Sequence, residues 1–348
     1  MTEHMPGRSE LGRSGPGRSG PGSTVDMTVL PGFLDAHVHI ALIDPAQLTA
    51  GGIARVLDLG GWTPPGSSAE ALPEAVFAGR FLAAPGGYPS GRSWAAAGSV
   101  CVVARATDAA AAVDDQLALG ASVIKVTLNS VAGPVLPRDV LAAIVGRAHD
   151  RGAPVVAHAE GAGQSRRAFE AGVDALAHTP FSERLGDELI EAMAGRMAWI
   201  STLDIHGWGE PTDDFYRAGD NLRRFHRAGG QVLYGTDLGN GPLPVGLNRR
   251  EIDALLGAGL SGDDVLRSLT MAHLAGFRTV LLGPAGTSSG RRVTVLRGER
   301  PVDARAFSAW LCTARAVRPT DLADLADPAD PTDPADPADP ASLDLPHA

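Results

Sequence analysis

The strongest constraint on the fold is a regular alternation of short β-branched runs with stretches of helical periodicity. Eight runs have the length and composition of buried strands. Several helical stretches end in Gly directly before the next run, which is typical of helix-to-strand joints. The strand-like runs cover residues 32–40, 53–59, 80–84, 123–128, 154–158, 175–178, 197–203 and 231–236, and clear helical stretches cover 108–119, 137–150, 164–171, 184–194 and 214–228.

Eight strands that alternate with helices predict an α/β fold, and the number eight favours a (β/α)8 TIM-like barrel. A doubly wound open sheet is the alternative. Such a sheet usually has a Gly-rich phosphate-binding turn after its first strand, and the sequence after 32–40 does not contain one. The sequence therefore favours the barrel.

The two ends of the chain differ in composition from this alternating body. Residues 1–24 are rich in Gly, Arg, Ser and Pro. Residues 317–348 are rich in Asp and Pro, and an Asp-Pro pair recurs every three residues from 327 to 340. We predict that both ends are disordered and that a single barrel domain covers 25–316, because neither end carries enough apolar surface to offset its ordering entropy.

Charge and cysteine content narrow the choice of partners. Most of the formal charge of −10 lies in the Asp-rich tail, so the body is close to neutral, unlike a nucleic-acid-binding surface. No apolar run reaches the ~18 residues of a membrane-spanning helix, and the 2 cysteines cannot form a disulfide framework. We expect a cytoplasmic protein that binds a small-molecule substrate, with no nucleic-acid or membrane partner and with homo-oligomer formation left open.

Residues with metal-binding side chains stand near the ends of five predicted strands. In a barrel these ends form one face, where active sites lie. The first strand ends in Asp-Ala-His-Val-His, and two imidazoles at this spacing share one face of an extended strand and can bind one ion. The candidates are His37 and His39 on the first strand, Lys125 near the end of the fourth, His158 on the fifth, His178 on the sixth and Asp237 on the eighth.

These side chains suit a divalent metal centre. Four imidazoles and a carboxylate are ligands for Zn²⁺ or a similar cation. Lys125 is the single lysine among the 30 Lys and Arg residues. A desolvated amine can add CO2 to form a carbamate whose oxygens bridge two metals, which a guanidinium cannot do. Two such metals would bind one hydroxide and polarise a substrate carbonyl, while Asp237 moves the proton from the water to the leaving nitrogen.

In this order the motifs PGFLDAHVH, the lysine, VVAHAEG, AHTP and GTDLG resemble the amidohydrolase superfamily. The resemblance covers roughly residues 27–300 and is closest to its imidazolonepropionase-related and prolidase-like metal-dependent hydrolases. It implies one metal on His37 and His39, another on His158 and His178, a bridging carboxylated Lys125, and Asp237 as ligand and general base. In members with one metal the lysine is unmodified and the histidine of the sixth strand contacts substrate, so both arrangements stay open.

The resemblance also bears on the rest of the fold. Family members usually carry a small β-sandwich built from segments before the first barrel strand and after the barrel. Few residues precede that strand here, and the closing segment VTVLRGERP matches the usual strands only weakly. We therefore expect a reduced or absent β-sandwich subdomain.

Loop residues after the second, third and seventh strands are candidates for substrate binding. Aromatic side chains there would suit an aromatic or heterocyclic ring, or could simply fill the mouth of the barrel. Arg92 could pair with a substrate carboxylate or lie on the surface, and Glu160 could hold a polar substrate group. The candidates are Trp62, Tyr88, Arg92, Trp94, Glu160, His206 and Trp208.

Together these features predict a metal-dependent amidohydrolase that cleaves a C–N bond in a cyclic amide, an imidazolone-like ring, an N-acyl amino acid or a dipeptide. Asp237 and His178 are the predicted catalytic residues, and two Zn²⁺ ions the predicted cofactors, with one ion as the alternative. A metal-dependent decarboxylase or other lyase on the same scaffold is a second possibility. A non-catalytic binding homologue is a third, although every expected ligand is present.

Overall fold

The computed structural model describes residues 26–61, 73–270 and 291–325. A compact unit spans Asp26–Leu322. A strand at Arg315–Val317 crosses the domain boundary predicted at residue 316, so the domain extends beyond that boundary. The predicted leader and residues 326–348 of the predicted tail lie outside the described residues.

Within the described residues the chain forms thirteen strands and ten α-helices. The strands are β1 Met27–Pro31, β2 Phe33–Val38, β3 Ile53–Asp58, β4 Glu74–Phe77, β5 Phe81–Ala83, β6 Val100–Val102, β7 Ile124–Asn129, β8 Val155–Glu160, β9 Ala175–Leu176, β10 Ala198–Ile200, β11 Gln231–Leu233, β12 Val293–Arg297 and β13 Arg315–Val317. The helices are α1 Gln47–Ala50, α2 Ala109–Ala118, α3 Arg138–Asp150, α4 Gln164–Glu170, α5 Asp187–Ala194, α6 Asp213–Arg227, α7 Arg249–Gly257, α8 Gly262–Thr270, α9 Ala304–Leu311 and α10 Leu322–Leu325, with 3-10 turns at Ile40–Leu42, Ala106–Asp108 and Pro319–Asp321.

The parallel strands close into a (β/α)8 barrel, which confirms the predicted fold class. Hydrogen bonds join β2, β3 and β4 in one group, and β11, β10, β9, β8, β7, β5 and β6 in another. The segment formed by β4 and β5 is the third barrel strand, since β4 pairs with β3 and β5 pairs with β7. A bridge between Val38 and Leu238 joins the first strand to the segment after β11 and completes the ring.

All eight predicted strands are present, although most are shorter than predicted. Prediction missed β4, which continues into the predicted third strand, and β6, which pairs beside β5. Both are three or four residues long. Strands this short carry too few alternating positions to give a clear pattern.

Two layers of apolar side chains stabilise the barrel. One buried cluster draws on every barrel strand and includes Leu34, Leu57, Ala78, Val123, Val156, Ala177, Ile200 and Leu233. Only the interior of the barrel is common to all eight strands, so this cluster fills the lumen below the active-site face. A larger cluster packs the outer faces of the strands against the helices.

A small antiparallel sheet stands in place of the β-sandwich. It has the order β1-β12-β13, and Val29 pairs with Val295 in its register. The segment VTVLRGERP, which matches the family's closing strands only weakly, therefore contains strand β12. The β-sandwich subdomain is reduced rather than absent. In the described part of the chain, no helix has the length and apolar character needed to span a membrane.

Candidate metal centre and active site

The six predicted metal ligands converge on one cavity of about 400 Å³. All six side chains are buried, with residue exposures of 9% or less. Five of them lie near or just after the ends of barrel strands, and Lys125 reaches the cavity from within β7. The residues that meet in this cavity are His37, His39, Lys125, His158, His178 and Asp237.

His37, His39 and Asp237 form the first cluster. Asp237 Oδ1 lies 3.0 Å from His37 Nε2 and 3.1 Å from His39 Nε2. The other ring nitrogens face backbone carbonyls: His37 Nδ1 lies 2.9 Å from Ala177 O, and His39 Nδ1 lies 3.0 Å from Gly60 O. A carbonyl can only accept, so both Nδ1 atoms donate, and in the neutral form of each ring the Nε2 lone pair points at the carboxylate.

This donor set fits a divalent metal ion. The ligand atoms of the three residues lie within 4.8 Å of one another. Two neutral imidazoles and a carboxylate oxygen are a common partial ligand set for zinc and similar cations. The fit rests on the orientation of the lone pairs as well as on residue type.

His158 and His178 form a second cluster beside the first. His178 Nε2 lies 3.1 Å from His158 Nδ1, and the His37 and His178 ring centroids are 4.8 Å apart. His178 Nδ1 lies 2.9 Å from the hydroxyl of Thr202. Burial holds the pKa of His178 well below its ordinary value, so the ring is neutral and able to bind a cation.

Lys125 lies deeper in the barrel than predicted. It is the second residue of β7, and the strand continues four residues further to Asn129. The residue is 2% exposed, and Thr127, two positions on, lines the same cavity. Burial lowers the pKa of the amine to about 7, against the opposing pull of Asp237 and Asp58. The long side chain is therefore what brings this amine to the cavity.

Asp237 is held in a restricted conformation. Its φ of 57° lies in the left-handed region, which costs free energy in a non-Gly residue and recurs at functional sites. The Asn240 side-chain amide donates to Asp237 Oδ2 at 2.8 Å, which leaves Oδ1 to face the imidazoles. Burial alone would raise the pKa of Asp237, but the surrounding imidazoles hold it well below its ordinary value, so the group is ionised.

Two buried carboxylates that prediction missed organise the first strand of the site. Asp35 accepts from His37 N at 3.0 Å and from the Thr236 hydroxyl at 2.6 Å, so it links β2 to the segment that carries Asp237. Asp58, at the end of β3, accepts from Ile40 N at 2.8 Å and from Gly60 N at 3.0 Å. The sequence signals for them were weak: Asp35 lies inside the Asp-Ala-His-Val-His motif, and Asp58 lies at the end of the second barrel strand.

The predicted substrate-binding residues divide into three groups. Tyr88, Trp94, Glu160, His206 and Trp208 line the cavity together with Phe81 and Phe181. Arg92 is exposed and does not belong to that lining; its guanidinium carbon lies 5.9 Å from the centroid of the Tyr88 ring. This exposed position is the surface alternative that the sequence left open for Arg92, and its pairing with a substrate carboxylate stays a prediction. Trp62 lies outside the described residues.

The loop that carries His206 and Trp208 is anchored to α7. Asp204 is 4% exposed and accepts from Arg250 Nε at 2.9 Å and from Asn248 Nδ2 at 2.7 Å. Glu251, on the same helix, accepts from Asp204 N at 2.8 Å. These bonds hold one aromatic wall of the cavity in place.

Comparison with solved structures identifies the type of barrel. A Xaa-Pro dipeptidase with methionine bound in its active site has 22% identity and a TM-score of 0.65 over 84% of this chain and 86% of its own. A prolidase in complex with N-methylphosphonate-L-proline has 20% identity and a TM-score of 0.63 over 83% of this chain and 84% of its own. A. niger ochratoxinase has 17% identity and a TM-score of 0.62, covering 82% and 81%.

No protein-family model matches the sequence, and no curated protein does. At the identities above, likeness establishes the fold, which is the TIM barrel of amidohydrolase and prolidase-like proteins. The resemblance inferred from the sequence motifs is thus confirmed for the fold.

Proposed function

We propose that the chain is a metal-dependent amidohydrolase that cleaves a C–N bond. The observation that carries this proposal is the orientation of His37 and His39, whose Nε2 atoms both lie within 3.1 Å of Asp237 Oδ1 in a buried cavity. Such an arrangement leaves imidazole lone pairs and a carboxylate oxygen directed at one point, where a cation would satisfy all three.

The proposed centre would hold two divalent cations, and zinc is the cation that best suits these ligands. His37, His39 and Asp237 would hold one, His158 and His178 the other, and Lys125, carboxylated by CO2, would bridge them. Bound cations would supply Lewis acidity, polarising a substrate carbonyl and activating water. If the lysine stays unmodified, the proposal reduces to a single cation bound by the first cluster.

The residues of the chain have separate tasks in this proposal. Asp237 Oδ1 faces the imidazoles, so Oδ2, beside Asn240, is the atom that takes the proton of the attacking water and returns it to the leaving nitrogen. His178, fixed by the Thr202 hydroxyl, is the second predicted catalytic residue. It would act as a ligand of the two-metal centre, or would contact substrate in a one-metal centre.

The walls of the cavity favour a substrate with an aromatic or other apolar group. Tyr88, Trp94 and Trp208 offer ring surfaces around the ligand cluster. The similar structures include proteins named as a Xaa-Pro dipeptidase, an ochratoxinase and a phenylurea hydrolase. We therefore propose dipeptides, N-acyl amino acids and cyclic amides that carry such a group as the first substrates to examine.

The test combines metal depletion with product analysis. Protein stripped by a chelator should be inactive and should recover turnover when zinc and bicarbonate are added, whereas Asp237→Asn should stay inactive. Products should gain the mass of one water molecule. Release of CO2 without addition of water would support the lyase alternative, and metal-independent turnover would refute the proposed centre.

A further inference from the structure

The second histidine cluster has an acidic neighbour that the proposed chemistry does not use. Glu160 ends β8, two residues after His158, and its Oε2 lies 3.1 Å from His158 Nε2. Resting on the metal centre proposed above, we propose that Glu160 is a positioning residue that makes Nδ1 the metal-binding nitrogen of His158.

The hydrogen-bond chemistry fixes the direction of this contact. An ionised carboxylate can only accept, so the proton between the two groups belongs to His158 Nε2. Nδ1 then carries the lone pair. Nδ1 lies 3.1 Å from His178 Nε2, so the free nitrogen of His158 faces the second ring across the space in which a shared cation would bind.

Asn129 holds Glu160 in the position required. Its side-chain amide donates to Glu160 Oε2 at 2.6 Å. The amide oxygen accepts from the backbone nitrogens of Val131 at 3.1 Å and Ala132 at 2.9 Å, so the orientation of the amide group is determined at both ends. Glu160 is therefore placed by β7 and by the turn that follows it, rather than by β8 alone.

The plane of the His158 ring is fixed independently. The Tyr88 ring stacks on it with a centroid distance of 4.9 Å and an interplanar angle of 27°. Stacking holds the plane but does not distinguish Nδ1 from Nε2. Two groups approach Nε2: Glu160 Oε2 at 3.1 Å and the Asn129 amide nitrogen at 3.4 Å. The shorter contact, with an acceptor, selects Nε2 as the protonated nitrogen, while the Asn129 amide donates to Glu160 at 2.6 Å. The first cluster uses the opposite choice, with Nε2 directed inward and Nδ1 bound to a backbone carbonyl.

Two substitutions separate hydrogen bonding from charge. Glu160→Ala removes the acceptor, and Glu160→Gln keeps an acceptor oxygen while removing the charge. We expect Glu160→Ala to lower the zinc affinity of the site on His158 and His178 by roughly 10–100-fold. This is the usual effect of removing a residue that hydrogen-bonds to a metal ligand. Glu160→Gln should lose clearly less. Glu170→Gln is the matched control, since Glu170 pairs with Arg138 on the surface.

The first readout is zinc affinity by chelator competition, and the second is the ¹⁵N spectrum of the histidine rings in metal-free protein. Wild type should show His158 protonated at Nε2, and Glu160→Ala should show a mixture of tautomers. Unchanged affinities and tautomers in Glu160→Ala would overturn the inference, as would equal losses in the Ala and Gln variants. If the wild-type protein binds only one cation while Glu160 still determines the tautomer of His158, the two-metal centre and the metal-positioning role of Glu160 are both refuted.

Discussion

At the scale of single residues, Lys125 is the side chain on which the two metal arrangements differ. It is 2% exposed, inside a cavity whose other proposed ligands are imidazoles and a carboxylate. Since the other basic residues of the chain are arginines, an amine at this position has a chemical reason if it reacts with CO2. The two-metal arrangement requires that reaction, and the one-metal arrangement does not.

Lys125→Arg should abolish binding of two cations and most of the turnover. A guanidinium cannot add CO2, and it would place a fixed positive charge beside the cations in a buried site. Elemental analysis after incubation with zinc and bicarbonate measures the expected loss. Metal content and turnover close to wild type would exclude the bridge.

Lys125→Ala provides the complementary test. Removing the side chain leaves space in which acetate or propionate can supply the missing oxygens, so these acids should restore part of the metal content and turnover. Lys125→Arg, in which the space is filled, serves as the control and should not respond. Absence of rescue in both variants would favour the one-metal arrangement.

Glu251 gives a prediction about pH. It is fully buried on α7, and burial raises the pKa of its carboxyl from 4.5 to about 7. The folded chain therefore keeps this proton in a range of pH in which the unfolded chain has lost it. The contribution of Glu251 to the unfolding free energy is complete below about pH 4.5 and is lost as the pH rises towards 7.

Glu251→Gln should flatten the dependence of stability on pH, because the amide cannot ionise. Between pH 5 and 8, wild type should lose roughly 2–3 kcal/mol of unfolding free energy more than the variant does. Urea unfolding at the two pH values measures this difference. Glu191→Gln, at an exposed position on α5, is the control, and equal slopes for wild type and Glu251→Gln would contradict the prediction.

At the scale of elements, the loop after β10 depends on its anchor to α7. Asp204 is buried and pairs with Arg250, whereas the neighbouring Arg249 makes an exposed pair with Asp253 at 3.6 Å. The two arginines are adjacent on one helix and differ mainly in the burial of their partners. They offer a matched pair of substitutions.

Arg250→Ala should lower the unfolding free energy by about 1–3 kcal/mol, since it leaves the buried Asp204 carboxylate without its cation. It should also raise KM, because the loop carries the His206 and Trp208 wall of the cavity. Arg249→Ala should change stability by less than about 0.5 kcal/mol. Thermal unfolding and kinetics on an accepted substrate measure both effects, and similar losses in the two variants would contradict the anchoring role.

At the scale of the whole molecule, closure of the barrel and assembly of the site depend on the same contacts. Asp35 joins β2 to the segment after β11 through the backbone nitrogen and hydroxyl of Thr236, at 3.1 Å and 2.6 Å. His37 lies two residues after Asp35, and Asp237 directly follows Thr236. The first and last strands thus meet where the first metal cluster lies.

Asp35→Ala should destabilise the fold by about 3 kcal/mol and weaken binding of the first cation, because buried donors on both strands lose their acceptor. Asp44→Ala, which removes an exposed acceptor for Ala46 N, is the control and should be close to neutral. Urea unfolding and zinc titration measure the two effects. Loss of stability without loss of zinc affinity would show that closure and metal binding are independent.

Much of this molecule follows from the sequence by itself. Alternation of strand and helix patterns predicted the barrel, because a parallel strand buried on both faces needs an apolar run and a covering helix. The same pattern placed His37, His39, Lys125, His158, His178 and Asp237 on one face, since the C-terminal ends of parallel strands share one edge. Residue type and position along the chain were enough for both results.

Only the tertiary structure decided which atoms face one another. The roles of Asp35, Asp58 and Asn129 depend on neighbours on other strands, and the tautomers of His37 and His39 depend on the backbone carbonyls beside their rings. The exclusion of Arg92 from the cavity lining likewise depends on the path of a loop. Hydrogen bonds act over about 3 Å, and a sequence pattern fixes the strand a residue occupies but not its partners at that distance.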